Sequence, residues 1–211
     1  SSALPKAIWK LQVYDSCIDR DQLGQLVLGW GLANYRFDRY RDKAKTPLNQ
    51  LKYPQTISVS RLNGLLTGTY LCRDLINLPS NHLTPAELEK AARQLAKTQQ
   101  ATFTTHKGDQ LAEAFPAIHN VGRAAETGPR LIDLRWGNSG PKITLIGKGI
   151  TFDSGGLDLK PSKAMEIMKK DMGGAAIVLG LAAALMTHGT NIQLRVLIAA
   201  AENAVSERAM R

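Results

Sequence analysis

The spacing of hydrophobic positions along the chain alternates between the period of a strand and that of a helix. Short apolar runs predict strands at residues 7–11, 56–60, 102–105, 131–136, 143–146 and 194–200. Longer segments with helical spacing predict helices at residues 19–41, 61–76, 84–98, 109–115 and 171–188. Strands and helices in this order are typical of an α/β fold with a mixed, largely parallel sheet flanked by helices.

The start of the helix at residues 84–98 has the clearest local signal. Thr84 can cap the helix, Pro85 suits its first turn, and Glu87 completes the sequence of a capping box. A Thr side chain can accept a hydrogen bond from a backbone N–H group of the first turn, and Pro has no N–H group that needs a partner. We therefore expect the helix to begin at this point.

A polar stretch divides the chain into two unequal parts. Residues 43–55 include Pro47 and Pro54 and predict a linker or an exposed loop. The part before it is expected to hold one short strand and one helix, and the part after it to hold the α/β domain. We place the boundary between residues 1–52 and residues 53–211.

The run at residues 143–146 points to the candidate site. It is almost fully apolar and ends at Gly147, a pattern that predicts a central strand buried on both faces. In open α/β sheets, ligands bind at the carboxyl ends of the strands. The residues that follow this run are therefore the first place to look for chemistry.

Composition and charge narrow the classes of protein. The chain has 211 residues, of which 44% are hydrophobic, and 27 Lys and Arg against 18 Asp and Glu give a net charge of +9. This is a globular composition, and no segment reaches the roughly 18–20 apolar residues of a membrane span, so we expect no membrane partner. The amino terminus lacks the apolar core of a secretory signal. Two cysteines, Cys17 and Cys72, are too few for a disulfide framework and indicate buried thiols in a reducing, cytoplasmic compartment.

The positive net charge is compatible with binding to nucleic acid. Most basic residues are scattered, and the densest group, at residues 36–45, is interrupted by Asp38 and Asp42. That pattern favours a solvated face, so nucleic-acid binding is kept as an alternative hypothesis.

The glycine-rich stretch after the run at 143–146 does not match a phosphate-binding loop. Lys148 is followed by Gly rather than by Ser or Thr, and Phe152 stands where a dinucleotide fingerprint requires a third glycine. One interpretation is a plain strand-to-helix turn with surface ion pairs. The other is a divalent metal site, because Asp153 and Asp171 supply oxygen ligands and Lys148 supplies a nitrogen. Lys160 would remain cationic and face a polarised carbonyl.

The histidines and methionines have simpler interpretations. No pair of histidines has the spacing of a helical metal motif, so we interpret all four as surface or loop residues: His82, His106, His119 and His188. Four methionines lie near helical spacing and are typical of core filling: Met165, Met168, Met172 and Met186.

Three motifs resemble the leucyl (cytosol) aminopeptidase family of two-metal exopeptidases. They are Lys148-Gly-Ile-Thr-Phe-Asp153-Ser-Gly-Gly, then Leu-Lys160-Pro, then Met168-Lys-Lys-Asp171-Met-Gly-Gly-Ala. Weaker matches lie at residues 73–81 and 201–203, so that the resemblance runs from about Tyr35 to the last residue.

The resemblance implies a role for each motif residue. Lys148, Asp153 and Asp171 correspond to ligands of two zinc or manganese ions, with Asp153 bridging them. Lys160 corresponds to the catalytic lysine, and Met168 to a residue of the pocket for the substrate's first side chain. The implied activity is removal of amino-terminal residues from peptides by a cytoplasmic enzyme, which is a hexamer in the family.

One family motif, Asn-Thr-Asp-Ala-Glu-Gly-Arg, is absent from these residues. The resemblance therefore implies an internal fragment, in which residues 1–52 are a remnant of an amino-terminal domain with its linking helix. Residues 53–211 are then the first part of the catalytic domain. With only three ligands, we expect these 211 residues alone to be inactive and to bind metal weakly at best. A non-catalytic relic of the same fold is the remaining alternative.

Overall fold

The elements of the fold follow the predicted alternation closely. The computed structural model describes residues 8–11, 18–41, 49–54, 56–206 and 208–209. The strands are β1 (Ile8–Lys10), β2 (Gln50–Lys52), β3 (Thr102–Lys107), β4 (Arg130–Trp136), β5 (Lys142–Asp153) and β6 (Gln193–Asn203). The α-helices are α1 (Arg20–Ala33), α2 (Val59–Asn77), α3 (Pro85–Thr98), α4 (Asp109–Ala114), α5 (Pro116–Gly122), α6 (Ser162–Met165) and α7 (Gly173–His188). Two 3₁₀ helices span Ser80–His82 and Met168–Lys170.

A four-stranded sheet in the order β3-β4-β6-β5 is flanked by helices, which confirms the mixed α/β fold. Only β5 and β6 run parallel, whereas β3 with β4 and β4 with β6 pair antiparallel. The expected majority of parallel pairings is therefore not present in this sheet as far as the structure describes it. The long helix α7 carries the chain back between β5 and β6, as a parallel pair requires, and alternation of element types does not predict the directions of the other strands.

Within the described part of the chain, strand β5 lies at an edge of this sheet, whereas the apolar run predicted a central strand. It pairs with β6 on one side, and Ile146 is 76% exposed. The apolar run predicted that a strand forms here, but it does not show which elements lie beside that strand.

The hydrophobic core lies between the sheet and the helices α2, α3 and α7. Helices α2 and α7 meet at their backbones, because a Cβ on Gly68 would be only 2.2 Å from the carbonyl oxygen of Gly180. By length and composition, Met168–His188 also qualifies as a membrane-spanning segment, contrary to the sequence-based expectation. In this fold its apolar character is accounted for by packing, since residues such as Leu179 and Ala183 are fully buried in the core.

Local capping explains where α2 and α3 begin. Thr84 accepts a hydrogen bond from the Glu87 amide at 3.4 Å, as the sequence predicted for α3. The strand predicted at residues 56–60 is wrong, because Ser58 caps α2 and accepts a hydrogen bond from the Arg61 amide. A polar side chain that satisfies a first-turn N–H favours the helix over a short, weakly alternating strand.

The described amino-terminal part consists of the strands β1 and β2 and the helix α1. Strands β1 and β2 pair in parallel, and α1 packs against the start of α2 through Leu23, Val27, Ile57 and Leu62. The boundary between residues 52 and 53 remains a prediction. Cys17 lies outside the described residues, and burial raises the pKa of the half-buried thiol of Cys72.

Candidate metal centre

Lys148 and Asp171 form the first ion pair of the candidate site. The Lys148 Nζ atom lies 2.7 Å from Asp171 Oδ2. Lys148 is on β5, and Asp171 lies in the turn between the second 3₁₀ helix and α7, which begins two residues later than predicted. The two segments approach closely because Gly174 has no side chain: a Cβ there would lie 2.9 Å from the Lys148 backbone nitrogen.

A bulge in β5 brings Lys148 and Asp153 to the same face of the sheet. Side chains five positions apart on a regular strand point to opposite faces. Lys148 pairs with Ala199 and Asp153 pairs with Asn203, so five steps along β5 match four along β6. Residues four apart on β6 share a face, so the extra residue, between Ile150 and Asp153, turns Asp153 to the side of Lys148.

Asp153 is held by three donors. Its Oδ1 accepts hydrogen bonds from the Gly155 amide at 2.9 Å and from Asn203 Nδ2 at 2.7 Å, and its Oδ2 lies 3.2 Å from Lys160 Nζ. Burial alone raises the pKa of Asp153, but these donors outweigh that effect and leave the pKa below its ordinary value. The carboxylate is therefore fixed in its ionised form, with 15% of the side chain exposed.

Two glycines shape the loop that carries Lys160 back to Asp153. Gly155 and Gly156 have φ angles of +92° and +73°, in the region that side chains rarely adopt. A Cβ on Gly155 would also lie 2.3 Å from the Asp158 carbonyl oxygen. The loop closes with a hydrogen bond from the Lys160 amide to the Ser154 carbonyl at 2.9 Å.

The residues present fit a divalent metal ion. Asp171 Oδ2 is buried, and among the described residues it is paired with the Lys148 ammonium at 2.7 Å. Donor atoms about 2.1 Å from one ion lie about 3 Å apart at right angles, which is close to this separation. In the described part of the chain, no three His, Cys, Asp or Glu side chains cluster as a metal site, so any site here depends on the lysine.

Met168 and the histidines are the other residues that the sequence analysis named. Met168 is half-buried on the second 3₁₀ helix, and its role in a substrate pocket remains a prediction. His82 and His188 are exposed, as expected for surface residues, and His82 Nδ1 is 2.6 Å from the Tyr40 hydroxyl. The interpretation as surface or loop residues does not hold for His106 on β3 and His119 on α5, which are half-buried.

A cavity of about 760 Å³ collects basic side chains, including Lys107, Arg123, Arg130 and Arg208. Two of them have internal partners: Arg130 Nη1 donates to Glu89 at 2.9 Å, and Arg123 Nε donates to the Arg208 carbonyl at 2.7 Å. The cavity therefore adds little support to the nucleic-acid hypothesis. Residues 42–48, which include part of the densest basic stretch, lie outside the described residues.

Sequence reasoning missed two residues around the site. Asn203 was only part of a matching segment, and yet it donates to Asp153. Lys169 belongs to the third motif, but no role was expected for it, and its Nζ donates to the carbonyls of Ile76 and Asn77 at 2.9 and 3.2 Å. The match at residues 201–203 was the signal available for Asn203, because the predicted strand ended at residue 200.

Comparison with known proteins agrees with this fold. Residues 70–211 match the model for the catalytic domain of the cytosol aminopeptidase family. The cytosol aminopeptidase of Coxiella burnetii is 43% identical, with a TM-score of 0.93 over 100% of this chain and 46% of that chain. The bottromycin maturation enzyme BotP, in complex with Mn, is 33% identical with a TM-score of 0.82 over 91% of this chain and 42% of that one. A probable cytosol aminopeptidase of Thermosynechococcus vestitus is 41% identical over 161 residues, which are 74% of this chain and 32% of that protein.

The fold and the matches together place residues 70–211 in a peptidase catalytic domain. The chain belongs to the cytosol aminopeptidase family. It spans less than half the length of each of these three relatives.

Proposed function

We propose that the chain supplies part of the active site of a metal-dependent leucyl-type aminopeptidase. The observation that supports it most is the convergence of two carboxylates and two lysines at the end of β5: Lys148 Nζ lies 2.7 Å from Asp171 Oδ2, and Lys160 Nζ lies 3.2 Å from Asp153 Oδ2. Divalent metal ions in proteins bind carboxylate oxygens together with nitrogen ligands. Asp153, which the β5 bulge turns to the same face as Lys148, adds a second ionised carboxylate.

In this proposal Lys148, Asp153 and Asp171 would hold two divalent ions, zinc or manganese. When bound, such ions supply Lewis acidity and favour deprotonation of a water molecule at neutral pH. The substrate is a peptide with a free amino terminus.

Lys160 acts on the scissile carbonyl. It is 32% exposed at the end of the glycine loop, so its ammonium can reach a bound substrate. A fixed positive charge stabilises the negative charge that develops on the carbonyl oxygen during attack. Met168, on the 3₁₀ helix just before Asp171, lines the pocket for the first side chain.

The whole protein is proposed to act in the cytoplasm as a homo-oligomer, a hexamer like its family. Three candidate ligands leave the shells of two ions incomplete, so these 211 residues alone should turn over no substrate. We therefore propose the activity for the whole protein and not for these 211 residues by themselves.

Hydrolysis of an aminoacyl anilide with added Mn²⁺ or Zn²⁺ tests the proposal. In the complete protein, Lys160→Ala should lower kcat about 10²–10³-fold, and Asp153→Ala should abolish turnover. Lys163→Ala, an exposed lysine three residues further on, is the matched control and should leave kcat unchanged. Equal activity of the Lys160→Ala and control variants would contradict the assigned role.

Two alternatives are separated by simple measurements. A salt-dependent shift of duplex DNA by the chain would favour nucleic-acid binding, which the +9 charge admits. A complete protein that folds but neither binds Mn²⁺ nor hydrolyses the anilide would favour a non-catalytic relic.

A further inference from the structure

We propose that Asn203 is a positioning residue that aims Asp153 at the metal centre. The inference rests on the proposed function, because it takes Asp153 to be a metal ligand. Asn203 is the last residue of β6 and the register partner of Asp153 across the parallel pair. It lies where the sheet ends and the glycine loop begins.

The side chain of Asn203 determines the orientation of the carboxylate. Its Nδ2 donates to Asp153 Oδ1 at 2.7 Å, and the Gly155 amide donates to the same oxygen at 2.9 Å. A carboxylate accepts only, so the NH₂ end of the amide must face it. With Oδ1 occupied by two donors, Oδ2 is the oxygen left for a cation, and in this structure it faces Lys160 Nζ at 3.2 Å.

The backbone of Asn203 holds the loop that follows. Its carbonyl oxygen accepts hydrogen bonds from the Ser154 amide at 3.0 Å and from Ser154 Oγ at 2.7 Å. Its Oδ1 occupies space beside Gly156, where a Cβ would lie 2.9 Å away. One residue therefore fixes both the carboxylate and the entry to the loop that carries Lys160.

At position 203 we expect a requirement for a short side chain with an uncharged hydrogen-bond donor. Leucine branches at Cγ as asparagine does but has no donor, so Asn203→Leu removes the hydrogen bond to Asp153 and still fills the site with a somewhat larger side chain. Hydrogen-bond partners of metal ligands fix ligand orientation, and losing one typically costs about 10–100-fold in metal affinity. We expect a loss of that size for Asn203→Leu.

The experiment measures Mn²⁺ affinity of the complete protein by competition with a fluorescent chelator. Asn191→Leu is the matched control, because Asn191 precedes the other end of β6 and its side chain bonds only to Ser139 among the described contacts. The control should bind Mn²⁺ within about twofold of the wild type, against the 10–100-fold loss for Asn203→Leu. In metal-free protein, the Gly155 amide should also exchange its hydrogen faster in Asn203→Leu, because its acceptor is no longer held.

Saturating Mn²⁺ should restore most of the anilide hydrolysis in Asn203→Leu, which general damage to the fold would not permit. If the wild type hydrolyses the anilide and Asn203→Leu binds Mn²⁺ as tightly as the control, the inference is overturned and the proposed function stands. If the wild type binds Mn²⁺ but hydrolyses nothing, the proposed function fails, and the affinities still decide the inference. If the wild type binds neither Mn²⁺ nor Zn²⁺, both fail.

Discussion

The contact between α2 and α7 gives the sharpest stability prediction. The two helices cross where Gly68 and Gly180 face each other without side chains. A Cβ on Gly68 would lie 2.2 Å from the Gly180 carbonyl oxygen, and a Cβ on Gly180 would lie 2.5 Å from that of Gly68. Gly68→Ala therefore forces the helices apart at a point in the core.

The magnitude follows from the size of the overlap. An ordinary contact begins at 3.4 Å, so the helices must separate by about 1.2 Å or deform. Overpacking a core costs about 1–3 kcal/mol, and the upper end applies because a backbone carbonyl cannot rotate away. Replacing a helical glycine by alanine contributes about 1 kcal/mol in the opposite direction. We expect a net destabilisation of about 2 kcal/mol.

Urea unfolding followed by circular dichroism measures this change. Gly29→Ala is the control: Gly29 lies within α1, and nothing lies within 4 Å of a Cβ there. This variant should be about 1 kcal/mol more stable than the wild type, since only helix propensity changes. If Gly68→Ala is as stable as the wild type, or gains stability as the control does, the backbone contact between the helices is not as described.

Three further predictions concern buried polar groups and the loop. Burial raises the pKa of Asp133, but its hydrogen bonds to Arg195 and Arg135 lower the pKa below the ordinary value. The stability that this carboxylate contributes is therefore present above about pH 4 and is lost on acidification. Asp133→Asn should flatten the acid limb of a pH–stability curve. Lys169→Met removes the cation bonded to the last carbonyls of α2 and should lower the free energy of unfolding in urea by about 1 kcal/mol, whereas the exposed Lys170→Met should not. Gly155→Ala places a side chain at a φ of +92° and should lower Tm and weaken Mn²⁺ binding together, and an unchanged Mn²⁺ affinity would argue against the loop as support for Asp153.

Local signals in the sequence predicted the elements well where one residue type satisfies one backbone need. The start of α3 at Pro85 is an example, because Thr84 and Pro85 act on their own turn. The weak signal at residues 56–60 failed, because a short alternation carries little energy beside a serine cap. Strand directions in the sheet also escaped prediction, since they depend on connections across the whole chain.

The candidate site shows the same division. The residue types and their motifs single out Lys148, Asp153, Asp171 and Lys160 as candidates. The spacing between Lys148 and Asp153 nevertheless argues against a shared face on a regular strand, and the bulge that resolves this is visible only in the register with β6.

From the chain alone one could read the family resemblance, the mixed α/β class and the chemistry-bearing side chains, because these depend on residue identity and local periodicity. Folding in three dimensions determined the rest: β5 as an edge strand, the common face of Lys148 and Asp153, and the hydrogen bond from Asn203. Asn203 and Asp153 lie 50 positions apart along the chain. Contacts of that kind form only when strands distant in sequence pair, and that pairing is decided by the packing of the whole domain.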